Sequence, residues 1–213
     1  MKKDKRPNSP GCLITFEGID GCGKTTQIGM LADYFVSINI KYRVFREPGG
    51  TYVGELIRSI LEDSSISNMH AYTEAALFAA ARSQLVHSEV KTALNLGNVV
   101  LLDRYIDSSL AYQGYARGLG FECVLELNRH AIDDVLPDLT LLIDIDPEDA
   151  LKRMTHVNDR IEELGIEFQH EVRSGYIKIA GMYPERIRII DGSRSPQEIF
   201  KDIKMLADAL FLR

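Results

Sequence analysis

The 213-residue sequence is poor in cysteine, and its cysteines are not spaced for a metal site. Cys12, Cys22 and Cys123 include no CxxC pair, and the five histidines are scattered along the chain. This pattern argues against a structural zinc site, and the odd number of cysteines indicates a reducing compartment without disulfides. The sequence also has no apolar run near the ~18 residues that a membrane-spanning helix needs. We therefore expect a cytoplasmic protein with no membrane partner.

An excess of positive charge is lacking as well, since the formal net charge is −6. We expect no general binding of nucleic acid, and a small anionic ligand must be held by a local group of cations. The basic segment 1–11 is not followed by an apolar region typical of signal peptides. We expect it to be a disordered tail ahead of a single domain that spans residues 12–213.

Strand-like and helix-like segments alternate along this domain. Apolar runs without alternation are typical of strands covered on both faces, as in parallel sheets. Helical segments between such strands predict right-handed crossovers and an α/β fold in three layers. The segments that we interpret as strands are 12–16, 42–46, 98–103, 139–145 and 186–190.

Residues 18–25 fit the pattern G-x-x-x-x-G-K-[ST], with a predicted strand before them and a predicted helix after them. Glycines let backbone N–H groups point inward, and the helix directs its positive end to the same place. Lys24 can reach the β- and γ-phosphates of a nucleotide, and the Thr25 hydroxyl can bind Mg²⁺. The sequence thus predicts a P-loop NTPase fold with a five-stranded parallel sheet flanked by helices.

Three further side chains lie at the ends of predicted strands or directly after them, where ligands of open parallel sheets bind. Arg46 begins the segment REPGGT and can hold a phosphate through its planar fork. Asp103 ends a strand and can organise Mg²⁺, and Arg104 can bridge phosphates. The alternatives are a solvated Arg46 beside a turn and a local ion pair between Asp103 and Arg104.

Two segments carry aromatic and polar side chains that suit a nucleotide base. Phe78 and Arg82 lie four residues apart in LFAAAR and share one helical face. Tyr112 and Gln113 lie together in AYQG, and ordinary packing is the alternative for all four. The most polar mid-chain stretch, 152–165, is the candidate for a short basic lid, with a solvated loop as its alternative.

Taken together, the chain resembles the thymidylate kinases over about residues 12–212. The segments that carry the resemblance are FEGIDGCGKTTQ, REPGGT, LFAAAR, DRYIDSSLAYQG, LPDLTLLID and DRIE, in the order of the family. The resemblance implies an enzyme that transfers the γ-phosphate of ATP to dTMP, giving dTDP and ADP. It further implies Mg²⁺ as cofactor and a homodimer.

The resemblance also assigns site residues. The ATP-binding set would be Gly18, Ile19, Asp20, Gly21, Cys22, Gly23, Lys24, Thr25 and Thr26. The dTMP-binding set would be Asp20, Arg46, Phe78, Arg82, Arg104, Ser108, Tyr112 and Gln113. Thr25 and Asp103 would hold the metal. In this assignment Phe78 stacks on thymine, and Tyr112 crowds the sugar 2′ position.

The sequence departs from the family that it resembles in the position of the catalytic arginine. The family places this arginine either in the P-loop or in the lid, and the loop here contains none. The lid is therefore indicated, although it is short, and Arg153 and Arg160 remain as candidates beside Lys24 and Arg104.

Two other functions fit the loop. One is a P-loop kinase for a different nucleoside monophosphate or for a deoxynucleoside. The other is a nucleotide-dependent switch, against which the absence of an Asn-Lys-x-Asp guanine motif argues.

Overall fold

A parallel sheet of five strands forms the centre of the protein, which we describe from a computed structural model for residues 11–154 and 160–211. The strands are β1 (Cys12–Glu17), β2 (Tyr42–Arg46), β3 (Val99–Asp103), β4 (Leu139–Asp144) and β5 (Ile187–Asp191). All four neighbouring pairs are parallel. The predicted sheet is confirmed, with strand ends within one residue of the expected ones.

Helices connect the strands and cover the sheet. The principal ones are α1 (Lys24–Ser37), α2 (Tyr52–Glu62), α3 (Ala71–Leu85), α4 (Lys91–Asn95), α5 (Ile106–Ser109), α6 (Phe121–Ile132), α7 (Pro147–Arg153), α8 (Gly165–Met182) and α9 (Pro196–Phe211). Single π-helical stretches follow α3 and α5, at Val86–Val90 and Leu110–Ala116. No helix within the described residues is both long enough and apolar enough to cross a membrane.

Local sequence signals explain where two of these helices begin. Asp146 caps α7 by accepting a hydrogen bond from the Glu148 N–H, and Pro147 occupies the first helical position. Before α9, the Ser195 hydroxyl lies 3.4 Å from the Glu198 N–H, and the Ser195 N–H donates back to the Glu198 carboxylate. This reciprocal pair is a capping box.

The core lies on both faces of the sheet. The central strands β1, β3 and β4 are almost wholly buried, as their apolar runs predict. Edge strands β2 and β5 are partly exposed. The central position of β1 therefore follows from its composition.

The strand order is β2-β3-β1-β4-β5, so the chain passes from β1 to one side of the sheet and later returns to the other side. Such a reversal opens a crevice at the carboxyl ends of the strands. The loop 18–23 leaves β1 at that edge, and Asp103 ends the neighbouring β3 there.

Three predicted segments lie partly outside the described residues, the third being the predicted domain 12–213, whose residues 212–213 are not described. Residues 1–10 of the predicted tail lie outside them, and so do residues 155–159 of the predicted lid. Of the remaining lid residues, 152–153 end α7, 160–161 form a turn, Glu162–Leu164 form a short 3-10 helix and Gly165 begins α8, whereas Met154 belongs to no helix.

Candidate active site

The P-loop uses its glycines for backbone conformations that other residues rarely adopt. Gly18, Gly21 and Gly23 have φ angles of 135°, 78° and 103°. A Cβ atom at Gly18 would also lie 2.5 Å from the Ile143 carbonyl oxygen. The loop can therefore take this path between β1 and α1 only with glycine at these points.

Lys24, the first residue of α1, is buried, and its ammonium group lies against the loop. Its Nζ donates hydrogen bonds of 3.1 Å to the carbonyl oxygens of Gly18 and Ile19. It lies 4.0 Å from a carboxylate oxygen of Asp20. The loop backbone thus holds the ammonium group at the mouth of the anion-binding curl, where phosphate oxygens could replace these carbonyls.

Cys22 is a buried residue of the loop, and burial raises the pKa of its thiol although Lys24 and Arg104 lower it. A thiol with a raised pKa is a poor nucleophile. The backbone N–H is then the part of Cys22 that suits a phosphate.

A large cavity of about 650 Å³ opens in front of the loop. Among the described residues, six cationic and three acidic side chains line this cavity. The cations are Lys24, Arg46, Arg58, Arg104, Arg153 and Arg194, and the carboxylates are Asp20, Glu47 and Asp103. Although the net charge of the protein is −6, cationic side chains are thus concentrated at this cavity, as a polyanionic ligand requires.

Arg104 is the best-anchored cation of this cavity. Its Nη2 lies 2.5 Å from an Asp20 carboxylate oxygen and 3.2 Å from the Tyr112 hydroxyl. Its Nη1 donates to the Gly18 carbonyl, and its φ of 66° is unusual outside glycine. The guanidinium thus pairs with Asp20 of the loop, so the alternative of a local pair with Asp103 is not what the structure shows.

Asp20 connects the loop to this arginine. Burial raises the pKa of its carboxyl, but the charges of Arg104 and Lys24 lower that pKa by more, so it falls to about 2. The carboxylate is therefore ionised at neutral pH, and it can accept hydrogen bonds from a ligand hydroxyl.

Two oxygen donors suited to Mg²⁺ meet at the end of β3. The Thr25 hydroxyl donates to an Asp103 carboxylate oxygen at 3.3 Å. Within the described residues no group of three or more His, Cys, Asp or Glu side chains could form an all-protein cage. One hydroxyl, one carboxylate, ligand phosphates and water are the donor set that Mg²⁺ usually takes, so these residues fit the ion.

A second, smaller cavity adjoins the first and has an aromatic wall. Its lining includes Phe78, Ser108, Tyr112 and Gln113. Four residues, Asp20, Glu47, Arg58 and Arg104, border both cavities. The site thus consists of a cationic chamber and a narrower one that suits a ring, joined at Arg104.

Comparison with known proteins identifies the family of this chain. Residues 16–203 match the sequence model of the family described as Thymidylate kinase. The chain belongs to the thymidylate kinase family.

Individual members of the family support this over nearly the whole chain. The thymidylate kinase of Thermoanaerobacter sp. strain X514 is 47% identical over 194 residues, which cover 91% of this chain and 95% of that protein. The thymidylate kinase of Clostridium novyi strain NT is 44% identical over 198 residues, with 91% and 97% covered. A crystal structure of thymidylate kinase from Ehrlichia chaffeensis superposes with a TM-score of 0.78 at 32% identity, and the match covers 93% of this chain and 100% of that one.

Arg82 is the thymidylate kinase motif residue whose surroundings differ most from the expectation. Its guanidinium is 1% exposed and donates to Glu47, Ser109, Asn128 and the Tyr105 carbonyl. It is not among the residues that line the smaller cavity, whereas Phe78 is. Contact between Arg82 and a thymine edge stays a prediction. It would require the Arg82 guanidinium to give up one of its present hydrogen bonds to the protein.

Gln113 and Arg160 share one buried carboxylate. Glu74 accepts from Gln113 Nε2 at 3.0 Å and from an Arg160 Nη at 2.7 Å, and Arg117 binds it as well. Burial raises the pKa of Glu74, but these hydrogen bonds lower it by more. The carboxylate therefore remains ionised and fixes one end of the Gln113 amide.

The two lid arginines occupy different places. Arg153, at the end of α7, is exposed and lines the cationic cavity. Arg160 is 9% exposed and also donates to the Leu61 carbonyl, next to the smaller cavity. Their catalytic roles stay predictions, and in this conformation only Arg153 of the two borders the P-loop chamber.

Arg46 borders the cationic cavity but is paired elsewhere. Its Nη2 donates to both carboxylate oxygens of Glu55, at 3.0 and 2.9 Å, and the side chain is about half exposed. Exposed pairs of this kind contribute little to stability, so a phosphate could displace Glu55. The predicted role of Arg46 stays open to test.

Two residues that border both cavities were missed by sequence reasoning. From the sequence, Arg58 is expected to form a surface ion pair on α2, and its Nη2 lies 2.6 Å from a Glu62 carboxylate oxygen. Glu47 reads as part of a turn, yet it is buried and pairs with Arg82. Burial raises the pKa of Glu47 to about 6 despite that pair. The spacing of four residues between Arg58 and Glu62 predicts their ion pair, but it does not predict that Arg58 borders a cavity.

The far end of the larger cavity was missed as well. Arg194, Pro196 and Ile199 line it, at the start of α9. Gln27 of α1 reaches this wall and donates to the Pro196 carbonyl at 2.9 Å. The only sequence signal there was the capping box, which indicates a helix start and no ligand.

Proposed function

We propose that this thymidylate kinase family member transfers the γ-phosphate of ATP to dTMP, giving dTDP and ADP. The observation that carries the proposal is the junction of the two cavities at Arg104. A triphosphate in the P-loop chamber and a nucleotide monophosphate in the aromatic-walled chamber would bring their charged ends together there. This arrangement suits phosphoryl transfer between two nucleotides, which depends on positioning and charge stabilisation.

No general base is needed for this reaction. A phosphate monoester has a second pKa near 6, so the acceptor oxygen is already anionic at neutral pH. The difficulty is repulsion between two polyanions that must approach in line. In our proposal Lys24 and Arg153 neutralise the donor side, and Arg104 and Arg46 hold the acceptor phosphate.

Thr25 and Asp103 are the residues proposed to hold Mg²⁺. The ion supplies charge neutralisation on the β- and γ-phosphates when it is bound. Asp103 acts in this proposal as a metal ligand, directly or through water, because its hydrogen bond with Thr25 already aligns the two oxygen donors.

The smaller cavity is proposed as the dTMP nucleoside site. Phe78, half-buried and facing this cavity, would stack on thymine, and Gln113 would address the base edge. Tyr112 donates to Asp20 at 3.3 Å, and this pair would bound the sugar, with Asp20 near the 3′-hydroxyl. Ser108 and Arg82 complete the proposed set.

An acceptor panel tests the proposed function. We expect ADP release from ATP and Mg²⁺ to be fast with dTMP, and chromatography to show dTDP as the product. Faster turnover with dCMP, dGMP, dAMP or thymidine would indicate a different small-molecule kinase. Turnover that needs no acceptor would indicate a nucleotide switch, so one coupled assay separates the three functions.

We also propose that the protein consists of one kinase domain, residues 12–213, and that it acts in the cytoplasm. The single sheet and the continuous core of the described residues support the first part. The cysteine pattern supports the second. Residues near 152–165 would serve as the lid of that domain.

A homodimer is the proposed assembly, and an apolar face on α2 supports it. Val53, Leu56 and Ile60 lie at i, i+3 and i+7 and are 44%, 51% and 44% exposed, and Tyr52 beside them is 82% exposed. Neighbouring exposed apolar side chains on one helix face are typical of interaction sites.

Leu56→Lys tests this face. A lysine at its centre would place a charge in the apolar contact, so we expect the dimer to dissociate at micromolar concentration in multi-angle light scattering. Met205→Lys, on α9, is the matched control because Met205 is 65% exposed and lies on a different helix. A dimer that survives Leu56→Lys, or a wild-type monomer, would contradict the proposal.

A further inference from the structure

Glu17, the last residue of β1, is a fully buried carboxylate that the proposed mechanism does not use. It accepts a hydrogen bond of 2.8 Å from the Tyr105 N–H. It also accepts from the Ser108 hydroxyl at 2.6 Å and from the Tyr176 hydroxyl at 2.9 Å. Three donors converge on one acid directly behind the P-loop.

The same two hydroxyls contact the arginine at the junction of the cavities. Arg104 Nη1 donates to Ser108 Oγ at 3.3 Å and to the Tyr176 hydroxyl oxygen at 3.2 Å. A hydroxyl has one hydrogen to donate and lone pairs to accept with. The two hydroxyl oxygens also lie 2.8 Å apart, so either could donate to the other. When Glu17 accepts both hydrogens instead, the lone pairs of Ser108 and Tyr176 are left to face Arg104.

We propose that Glu17 is a positioning residue that orients Arg104 for the acceptor phosphate through the hydroxyls of Ser108 and Tyr176. A neutral group at position 17 would let these hydroxyls rotate their hydrogens toward the guanidinium, which disfavours its position. The inference rests on the proposed function, since it assigns Arg104 to the acceptor phosphate.

The charges around Glu17 determine its pKa, and this pKa sets the pH at which the proposal is tested. Burial and the neighbouring Asp107 raise the pKa of Glu17 to about 7, against the opposing effects of Ser108, Arg104 and Tyr176. Asp107 itself is paired with Arg186, whose Nη1 lies 2.6 Å away. Assays at pH 8.5 therefore compare variants with a wild type whose Glu17 is ionised.

The first measurement is the steady-state kinetics of Glu17→Gln at pH 8.5. We expect the KM for dTMP to rise about tenfold, while kcat changes less than threefold and the KM for ATP is unchanged. That split is the signature of lost uniform binding at the acceptor site. An unchanged KM for dTMP would overturn the inference.

A double-mutant cycle separates this role from a structural one. In a Ser108→Ala/Tyr176→Phe background the connection is absent, so Glu17→Gln is expected to change the KM for dTMP less than twofold. The same tenfold rise in that background would show that Glu17 acts without the hydroxyls and would overturn the inference.

A loss of folding and a failure of the proposed function are detected by separate measurements. If circular dichroism shows that Glu17→Gln is unfolded, Tyr176→Phe alone is measured, with a rise in the KM for dTMP expected and no change overturning the inference. A wild type that does not phosphorylate dTMP overturns the proposed function instead, and the acceptor panel detects that case first.

Discussion

Lys24→Met is expected to lower kcat by about 10³-fold, a loss of the size seen when one preorganised charge-stabilising donor is removed. Lys24 is 7% exposed, and two carbonyl oxygens of the loop hold its ammonium group in place. A fixed charge with little water around it interacts strongly with the developing negative charge of the transferred phosphate. Methionine is unbranched and only one heavy atom shorter than lysine, and it removes the charge.

The control for this variant is Lys204→Met on α9, because Lys204 pairs with Asp208 at the surface. We expect kcat of Lys204→Met within twofold of wild type. Steady-state kinetics with ATP and dTMP check both variants, and thermal melting confirms that both are folded. A kcat of Lys24→Met within tenfold of wild type would contradict the P-loop assignment.

Arg153→Ala is expected to lower kcat by about 10³–10⁵-fold, the range found for arginines that contact a transferred phosphoryl group. Arg153 is exposed at the end of α7 and borders the chamber that contains Lys24. Its charge would matter mainly in the transition state, so we expect dTMP binding, measured by calorimetry, to change less than threefold.

Arg160→Ala is the matched comparison, since both arginines belong to the predicted lid. Arg160 is hydrogen-bonded to Glu74 and to the Leu61 carbonyl beside the smaller cavity, so we expect a smaller loss of kcat than for Arg153→Ala. The reverse order would mean that Arg160 leaves Glu74 during turnover. Unchanged kcat in both variants would refute the lid assignment.

The sheet and the P-loop were predictable from sequence because their signals are local. Buried parallel strands require continuous apolar runs, and the loop requires glycines at fixed spacing before a lysine. Each signal occupies fewer than ten neighbouring residues, so no knowledge of the tertiary structure is needed to find it. Confirmation of all five strands follows from this.

The walls of the cavities were less predictable because they depend on partners far apart in sequence. Phe78 and Arg82 share a helical face, but Arg82 is bound by Glu47 and Asn128, which lie 35 and 46 positions away. Arg58 reads as a surface residue until the fold brings α2 beside the P-loop. Helical spacing gives the direction of a side chain, and only the fold gives its partner.

The four residues that border both cavities have a consequence for inhibitor design. A compound that joins a triphosphate mimic to a thymidine mimic would cross Asp20, Glu47, Arg58 and Arg104. Linking the halves makes the second binding event intramolecular, which can raise avidity by about 10²–10⁴-fold when the linker matches the span. Under the proposed assignment of the two cavities, a substitution at this boundary that weakens the inhibitor would also weaken the binding of both nucleotides, so few resistance substitutions would leave the enzyme active.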